Sequence, residues 1–286
     1  MVKKIAIGIL AYNEESHIES VINKILTLKK DVYVLNDSST DETMNILERM
    51  NISKKFTIIN NLKNEGAGNS TLKLIETIKN DGFEFVIKVD GDNQFKLEDV
   101  NKIIKLHEDN DYDFIKSNRF WEKGIEGKIP RSRYFGNLFA TIMLQFISGT
   151  NKLFDPLNGL FGINVKVLNY INKKVYPKRY GYPFYFSGLS AISFFKVFQI
   201  NNVVTYGSEK SNLSSIRMFF TLIRLTIHFL ILKIKNKMLI GKYQRSAFLD
   251  SVFLFFLILN FIIFLRFVLI FTSIQIFNSS FIGSWA

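Results

Sequence analysis

The chain of 286 residues contains no cysteine and only three histidines. The absence of cysteine excludes a disulfide scaffold and thiol catalysis, and it fits a reducing compartment or a protein without a redox role. Because His17, His107 and His228 are scattered along the chain, a zinc site built from histidines is not expected. The length is sufficient for one large domain or two small ones with a sizeable core.

Acidic residues are few compared with basic ones, since 25 Asp and Glu face 37 Lys and Arg and the formal net charge is +12. An excess of this sign suggests an anionic partner, such as nucleic acid, acidic lipid or a phosphorylated substrate. The basic residues concentrate near the apolar C-terminal region, where the aromatic residues are mostly Phe at apolar positions. We therefore expect an anionic membrane lipid as a partner and no nucleic acid.

The first half of the chain alternates apolar, β-rich runs with segments of helical spacing. Strands are predicted at residues 5–10, 32–36, 56–60, 83–90 and 112–117. Helices are predicted at residues 14–28, 66–79 and 97–107. A further helix is predicted to begin near Thr40, with Ser39 or Thr40 as its N-cap. This order predicts right-handed βαβ units, a mostly parallel sheet of the α/β class, and a ligand site beyond the carboxyl ends of the strands.

The pattern is looser after Arg119. Residues 122–130 read as a polar loop and residues 131–147 as a helix, followed by a short helix. Beyond these we predict a loop rich in Tyr and Pro, a further helix and a strand, at residues 176–186, 187–199 and 201–206.

The stretch VDGDNQF, residues 89–95, ends a predicted buried strand with two carboxylates that would repel each other. The oxygens of Asp90, Asp92 and Gln94 are ligands that Mg²⁺ or Mn²⁺ accepts, and a bound cation would remove the repulsion. Gly91 would let the backbone approach a ligand closely. The alternative is a β-turn that caps the strand, because Asp-Gly and Asp-Asn are common turn sequences.

Several further motifs stand in a fixed order along residues 3–215. They are LAYNEE after the first strand, NDSSTDET after the second, Asn64-Glu65-Gly66-Ala67-Gly68 after the third, the DGDNQ segment after the fourth, Arg119, Arg131 or Arg133, and residues 155–161. This series resembles the family 2 glycosyltransferases with the GT-A fold, and among them the polyprenyl-phosphate glycosyltransferases similar to dolichol-phosphate mannose synthase. Leu10, Asn36 and Ser38 depart from the family pattern, which leaves a non-catalytic sugar-nucleotide binding protein as a rival.

The resemblance implies a donor site for a UDP- or GDP-linked sugar. Ala11, Tyr12 and Glu14 would border the base and ribose, and Asp37 would grip one of them unless it caps the next helix. Asn64, Gly66 and Gly68 would form the loop under the donor, with a tight turn into a helix as the equally supported alternative. Asp90, Asp92 and Gln94 would hold the metal on the diphosphate, while Arg119, Arg131 and Arg133 would neutralise phosphate.

The resemblance also implies inverting transfer of a sugar without a covalent intermediate. A polyprenyl phosphate acceptor is already anionic and needs no strong base, whereas a sugar hydroxyl needs a carboxylate to take its proton. Residues 182–195 contain no Asp or Glu, and Asp155 is the remaining candidate for a catalytic carboxylate beside Asp92 and Arg133. We therefore predict a polyprenyl phosphate acceptor, with the hydroxyl of a cell-surface glycan or lipid-linked oligosaccharide as the alternative.

Two segments after the transferase domain of residues 1–210 predict membrane association. Residues 211–245 carry basic side chains within about 40° of one another at 100° per residue: Arg217, Arg224, His228 and Lys235. Such a stripe suits a helix in the membrane interface, and a helix packed between domains is the alternative.

Residues 246–278 are long and apolar enough for one membrane crossing, although Arg266 leaves a re-entrant hairpin open. Lys and Arg precede this block and an uncharged tail follows it, so the positive-inside rule predicts a catalytic domain on the cytoplasmic face.

Overall fold

The computed structural model describes residues 4–53, 55–120, 125–126, 131–193, 195–202, 204–205, 215–239 and 244–282. The chain divides into two compact units, Met1–Phe229 and Leu230–Ala286. The first unit has the α/β architecture that the sequence predicts, and most of the predicted polar loop at residues 122–130 lies outside the described residues.

Seven strands of the first unit form one sheet in the order β3-β2-β1-β4-β7-β5-β8. β7 runs antiparallel to β4 and β5, and the other neighbours pair in parallel. β6 and β9 form a separate parallel pair. The strands are β1 (Ile5–Ala11), β2 (Asp31–Asn36), β3 (Thr57–Asn60), β4 (Phe85–Asp90), β5 (Phe114–Asn118), β6 (Ile125–Glu126), β7 (Phe161–Asn164), β8 (Val197–Asn201) and β9 (Val204–Thr205).

The helices cover the sheet because their apolar residues recur at helical spacing. In the first of them Ile18, Val21, Ile22 and Ile25 are all buried. Every residue of β1 is buried too, as expected for a central parallel strand covered on both faces. The helices are α1 (Ile18–Leu26), α2 (Thr43–Ser53), α3 (Ala67–Asn80), α4 (Leu97–Asn110), α5 (Arg131–Ser148), α6 (Tyr182–Ile192), α7 (Ser215–Leu239) and α8 (Gln244–Ile282), with a 3₁₀ helix at Val165–Tyr170.

Two helices begin later than predicted, α1 at Ile18 and α2 at Thr43. Ser39 and Thr40 do not cap α2, because they lie four and three residues before its first residue. Their backbone N–H groups donate to the side chains of Asn36 and Asn13 at 3.2 and 2.8 Å. The N–H of Thr43 donates instead to Asp41 Oδ1 at 3.0 Å. The polar residues after β2 therefore tie the loops after β1 and β2 together.

The predicted loop at 176–186 and helix at 187–199 are displaced from the observed elements. α6 already begins at Tyr182, with Pro183 in its first turn, and residues Val197–Asn201 form the edge strand β8. Proline fits the first turn of a helix because its missing N–H has no partner there in any case. α6 is almost entirely buried and apolar, so it shows no 3.6-residue period that would mark its ends.

The first part of α7 packs on α6. Leu222, Leu225 and Phe229 are buried, and the ring of Phe229 lies 5.3 Å from that of Tyr185. Arg217 and Arg224 are exposed on this helix, and so is the apolar side chain of Phe220. The first part of α7 thus covers part of the first unit and also presents apolar and basic side chains outward.

In the second unit, residues Ser246–Phe271 of α8 form a helix long and apolar enough to cross a membrane, with a mean hydropathy of 2.8. Lys237 Nζ and Asp250 Oδ2 form an ion pair of 2.5 Å within this unit.

Candidate active site

The carboxyl ends of β1, β2 and β4 lie side by side and bring the predicted polar loops together. The N–H of Asp37 donates to Ala11 O at 2.9 Å, and the N–H of Gly91 donates to Leu10 O at 2.9 Å. Both bonds extend the strand ladders into the loops. The loops after β2 and β4 therefore flank the end of β1, as the topology predicts.

The loop after β1 is held from the side of α2. Asn13 has a left-handed backbone with φ of 56°, and the N–H of Glu14 donates to Thr43 Oγ1 at 2.8 Å. The Glu14 side chain packs near Gly91, where an added Cβ would lie 3.3 Å from its Cγ. Tyr12, which precedes Asn13, is 45% exposed.

Asp37 is buried and organises the next loop. Its Oδ1 accepts hydrogen bonds from Asn61 Nδ2 and the N–H of Glu65, at 2.8 and 2.9 Å, and its Oδ2 accepts from the N–H of Gly66 at 2.9 Å. The carboxylate is thus placed beside the predicted donor loop and fixes its backbone. If Asp37 also binds a base or ribose, as predicted, it does so through the lone pairs that these three hydrogen bonds leave available.

The glycine loop after β3 packs against the chain at 177–179. An added Cβ on Gly68 would overlap Pro177 O, and one on Gly66 would overlap the side chain of Arg179. Gly66 also has φ of +88°, which other residues rarely adopt. The glycines are therefore needed for the close approach of this basic segment, whatever further role they have toward a donor.

Asn64, at the start of the same loop, is half-buried. Its buried Oδ1 accepts no hydrogen bond from any residue that the structure describes. A buried polar atom without a partner is costly, and a ligand with a donor group would satisfy it.

Asp90 forms an ion pair with Lys88, which precedes it by two residues and lies on the same face of β4. The Lys88 ammonium is fully buried and donates to Asp90 Oδ1 and, at 2.6 Å, to Tyr182 Oη of α6. Burial alone would lower the pKa of Lys88, but the Asp90 charge and the hydrogen bonds to Asp90 and Tyr182 together raise the pKa above the ordinary value. The lysine therefore stays charged.

The turn after β4 carries Asp92 and Gln94, both half-buried. Asp92 Oδ1 accepts a hydrogen bond from the N–H of Gln94 at 3.1 Å, and Asn93 between them has φ of 60°. A turn therefore follows β4, as the alternative interpretation predicts, and a metal-binding role of Asp90, Asp92 and Gln94 stays a prediction. No cluster of three or more His, Cys, Asp or Glu residues that could hold a metal occurs in the described part of the chain. A cation here would need further oxygens from a ligand or water.

Asp155 and Arg119 form a second, bidentate ion pair. Arg119 Nε and Nη2 donate to the two carboxylate oxygens of Asp155, each at 2.8 Å, and the Arg119 N–H donates at 2.9 Å. Burial would raise the pKa of Asp155, but the charge and hydrogen bonds of Arg119, together with the Lys116 charge, hold the pKa below its ordinary value. Asp155 is therefore an anion that orients Arg119.

Lys116 on β5 contacts the backbone beside this pair. Its buried ammonium donates to the carbonyl oxygens of Phe154 and Asp155, the latter at 3.1 Å. Burial lowers the pKa of Lys116 to about 8. The lysine fixes the backbone at Asp155, whose φ of 49° is left-handed.

The segment from Asp155 to Gly159 crosses the rim and joins the two ion pairs. At its far end a Cβ on Gly159 would overlap Asp90 Oδ2 and lie 3.3 Å from Lys88 Nζ. The segment therefore contacts Arg119 at one end and Asp90 at the other. The carboxylate at the end of β4 and the guanidinium after β5 are thus connected through this one segment.

Arg131 and Arg133 lie in the first turn of α5. Arg133 is half-buried, whereas the side chain of Arg131 lies outside the described residues. The rings of Phe120 and Tyr134 are 5.9 Å apart, so the start of α5 adjoins the residue after Arg119. The structure therefore brings the first turn of α5 to the β5 side of the site.

Sequence analysis missed Lys88, Lys116 and Tyr182. A signal for the lysines was present, because each is a charged residue within an apolar strand, and such residues are rarely buried without a partner. Tyr182 gave no comparable signal, since its contact with Lys88 joins residues 94 positions apart.

A sequence profile described as Glycosyl transferase family 2 matches residues 6–171, more than half of the chain. The chain belongs to this family. This glycosyltransferase chain is 32% identical over 136 residues to an uncharacterized protein of Methanocaldococcus jannaschii. The match covers 46% of the chain and 57% of that protein. The chain is also 23% identical over 192 residues to the UDP-N-acetylglucosamine–dolichyl-phosphate N-acetylglucosaminyltransferase of Methanococcus voltae. This match covers 62% of the chain and 76% of the relative.

Solved structures share the fold of this glycosyltransferase at low identity. Glucosyl-3-phosphoglycerate synthase of Mycobacterium tuberculosis, in complex with Mn²⁺, UDP and phosphoglyceric acid, superposes with a TM-score of 0.61 at 17% identity, covering 79% of each chain. Residues 1–349 of TarS from S. aureus, in complex with UDP-GlcNAc, give 0.57 at 18% identity, covering 80% of this chain and 66% of TarS. The predicted GT-A fold and family are confirmed.

Proposed function

We propose that this glycosyltransferase moves a sugar from a UDP- or GDP-linked donor to a polyprenyl phosphate at a membrane surface. An oxygen of the acceptor phosphate forms a bond to the anomeric carbon, and the bond from that carbon to the diphosphate breaks with inversion. The nucleoside diphosphate leaves. No proton has to be removed from the acceptor, because its attacking oxygen is already anionic.

The β1 to β4 side of the rim forms the donor half. Tyr12 and Glu14 border the base and ribose, Asp37 orders the loop that contains Asn64, Gly66 and Gly68, and the orphaned oxygen of Asn64 accepts a hydrogen bond from the donor. The relative from Methanococcus voltae is named for a UDP-sugar, which supports the uridine donor.

Mg²⁺ or Mn²⁺ fits the acidic turn. The oxygens of Asp92, Gln94 and Asp90 are of the type that these hard cations prefer, and Asp92 and Gln94 lie in the same turn after β4, where the Gln94 N–H donates to Asp92 Oδ1. The cation would supply compensation for the negative charge on the departing diphosphate. The Mycobacterium tuberculosis neighbour contains Mn²⁺, which supports a divalent cofactor.

The Arg119–Asp155 pair supports the proposal that the acceptor is a phosphate. Both oxygens of Asp155 accept from Arg119, and its pKa is lowered, so it is a poor base for a sugar hydroxyl. We therefore assign Asp155 a positioning role: it presents the guanidinium, which binds phosphate together with Arg133 and Arg131.

The outer face of α5 supports a lipid acceptor and a membrane location. Beside the site, α5 exposes five large apolar or aromatic side chains: Tyr134, Phe135, Leu138, Ile142 and Phe146. The ring of Phe219 on α7 lies 4.9 Å from Phe139 of α5, so the exposed Phe220 of α7 extends this apolar surface. Exposed apolar patches of this kind mark membrane or protein contacts. With the apolar α8 as anchor, the arginines of α7 would face anionic headgroups on the cytoplasmic side.

A panel of radiolabelled UDP- and GDP-sugars, offered to membranes that contain the full chain with Mg²⁺ or Mn²⁺, tests the function. We expect label in the organic phase with one donor, and its loss in Asp92→Ala. Asp109→Ala, which removes an exposed carboxylate at the end of α4, is the matched control and should retain transfer. Label found only in water-soluble or polymeric product would overturn the lipid acceptor in favour of a glycan hydroxyl.

A further inference from the structure

Residues 176–180, which precede α6, lie directly against the glycine loop that follows β3. The Tyr176 hydroxyl donates to Gly68 O at 2.9 Å, and the N–H of Asn69 donates to Lys178 O, also at 2.9 Å. An added Cβ on Gly68 would overlap the backbone of this segment. The segment and the loop therefore hold each other in one arrangement.

Arg179 places its aliphatic stem on the turn of the glycine loop. A Cβ added to Gly66 would lie 2.4 Å from Arg179 Cγ, so the arginine stem occupies the space that a side chain would need there. The N–H of Gly66 donates to Asp37 Oδ2 at 2.9 Å. The stem is thus tied to the loop that Asp37 orders, while Arg179 as a whole remains exposed.

The guanidinium of Arg179 has no hydrogen-bond or ion-pair partner among the residues that the structure describes. Arg119, by contrast, donates to both carboxylate oxygens of Asp155. An exposed arginine without a partner is ordinarily solvated, but the stem of this one is held at the proposed donor loop. Its fork of N–H donors matches the oxygens of a phosphate, so an anionic ligand at this loop gains a partner without displacing an existing ion pair.

The same stretch of chain continues from the glycine loop to the end of β4. Tyr182, three residues after Arg179, accepts from Lys88 Nζ at 2.6 Å, and Lys88 also pairs with Asp90. Arg179 therefore lies on a connection between the loop proposed to lie under the donor and the strand end proposed to hold the metal on the diphosphate. The diphosphate carries the negative charge of the nucleotide, whereas its base and ribose are neutral.

We propose that Arg179 is a donor-binding residue whose guanidinium pairs with the diphosphate of the nucleotide sugar. As the acceptor oxygen bonds to the anomeric carbon, the electron pair of the breaking bond stays on the diphosphate oxygen, and the nucleoside diphosphate gains one negative charge. A guanidinium already in place compensates that charge without reorganisation. This inference rests on the proposed function and adds to it a residue that stabilises both the bound donor and the leaving group.

Arg179→Met tests this role in the full-length protein. Methionine keeps the Cγ that lies against Gly66 but removes the charge and the N–H donors. With Mg²⁺ present, the affinity for UDP or GDP, whichever binds the wild type, should fall roughly 10- to 100-fold, as measured by calorimetry. Arg179→Lys, which keeps the charge without the planar fork, should give an intermediate affinity. Unchanged affinity in Arg179→Met would refute the proposal.

Hydrogen exchange separates binding of the diphosphate from support of the glycine loop. The N–H groups of Glu65 and Gly66 donate to Asp37, so their exchange without nucleotide reports whether the loop keeps its arrangement. We expect the same exchange in wild type and Arg179→Met. Faster exchange together with the fall in affinity would give Arg179 a purely structural role and contradict the proposal.

Ligands without phosphate show which part of the donor Arg179 contacts. Uridine or guanosine, followed by ligand-observed NMR, should bind to wild type and Arg179→Met equally, because neither nucleoside carries the charge that the arginine pairs with. A loss of nucleoside affinity as large as that of nucleotide affinity would place the contact on the base or ribose and overturn the assignment to the diphosphate.

Lys174→Met is the matched control, since Lys174 is exposed shortly before this segment. Loss of its solvent-screened charge should change UDP or GDP affinity by less than about twofold. A fall as large as that in Arg179→Met would mean that total charge and not a contact sets the affinity. If the wild-type protein binds neither UDP nor GDP, the proposed function itself fails. If it binds one of them and Arg179→Met binds it equally well, only this inference fails.

Discussion

Two ion pairs at neighbouring ends of the sheet are built with opposite polarity. In the Lys88–Asp90 pair the cation is fully buried and the carboxylate is 40% exposed. In the Arg119–Asp155 pair the carboxylate is fully buried and the guanidinium is 17% exposed. The pair on β4 thus presents its carboxylate to the site, whereas the pair that follows β5 presents its guanidinium.

The difference shows how one rim serves two ligands of different chemistry. An outward carboxylate can accept hydrogen bonds from the hydroxyl groups of a sugar or ribose, and an outward guanidinium can bind a phosphate. In each pair the buried partner fixes the orientation of the outward one. A buried charge is tolerated only while its partner is in place. Removal of the exposed partner should therefore lower the free energy of unfolding by more than the loss of that partner's own contacts.

The largest effect is expected when the guanidinium of the β5 pair is removed. Arg119→Met leaves Asp155 buried with much of its compensation gone, so the free energy of unfolding should fall by about 3–5 kcal/mol, and transfer should be lost. Arg119→Lys should recover part of the stability but little transfer, because an ammonium cannot span both oxygens. Denaturant unfolding and transfer assays measure both quantities.

Arg49→Met is the matched control for that variant. Arg49 pairs with Glu19 at 3.2 Å, but the two side chains are 68% and 55% exposed, so its removal should cost less than about 1 kcal/mol. Equal destabilisation by the two substitutions would show that burial of Asp155 does not set the cost.

A smaller effect is expected from disturbing the β4 pair without touching its charges. Gly159→Ala places a Cβ against Asp90 Oδ2, so the carboxylate must move, and nucleotide affinity should fall roughly 10- to 100-fold. Calorimetry with UDP and GDP measures the change. Gly136→Ala on α5, where an added Cβ meets nothing within 4 Å, should leave nucleotide affinity unchanged. Unchanged affinity in Gly159→Ala would mean that the fit of Asp90 at the rim is not needed.

The sequence does not predict which partner of each ion pair is buried, although it does predict much of the sheet. The runs that form β1, β2 and, apart from Lys88, β4 are largely apolar, which predicts buried parallel strands, and their terminal polar residues predict the rim. Arg119 and Asp155, by contrast, are 36 residues apart, and their pairing depends on β7 entering the sheet between β4 and β5. No local pattern predicts that insertion.

The misplaced helix at 187–199 has a related cause. α6 is apolar on all sides because it is buried on all sides, so the sequence has no periodicity from which its ends could be predicted. Tyr182, at its start, reaches Lys88 only because α6 packs there. Residues that depend on one such packing contact were missed, while those that sit at strand ends were predicted.

The smallest effect concerns the pH dependence of the β5 pair. The pKa of Asp155 lies below the ordinary 3.8, so its folded form stays ionised where the unfolded form takes up a proton. The stability that it contributes is therefore complete above pH 3.8 and decreases as the pH falls through the lower, folded pKa. Each pH unit in that window should cost at most about 1.4 kcal/mol.

Asp155→Asn cannot take up this proton. The difference in unfolding free energy between wild type and Asp155→Asn should therefore be constant near neutral pH and shrink as the pH falls below 3.8. Denaturant titrations of both proteins at a series of pH values measure it. A difference that stays constant for Asp155→Asn down to the acid limit would mean that the guanidinium does not hold this carboxylate ionised, and the opposite polarity of the two pairs would lose its electrostatic basis.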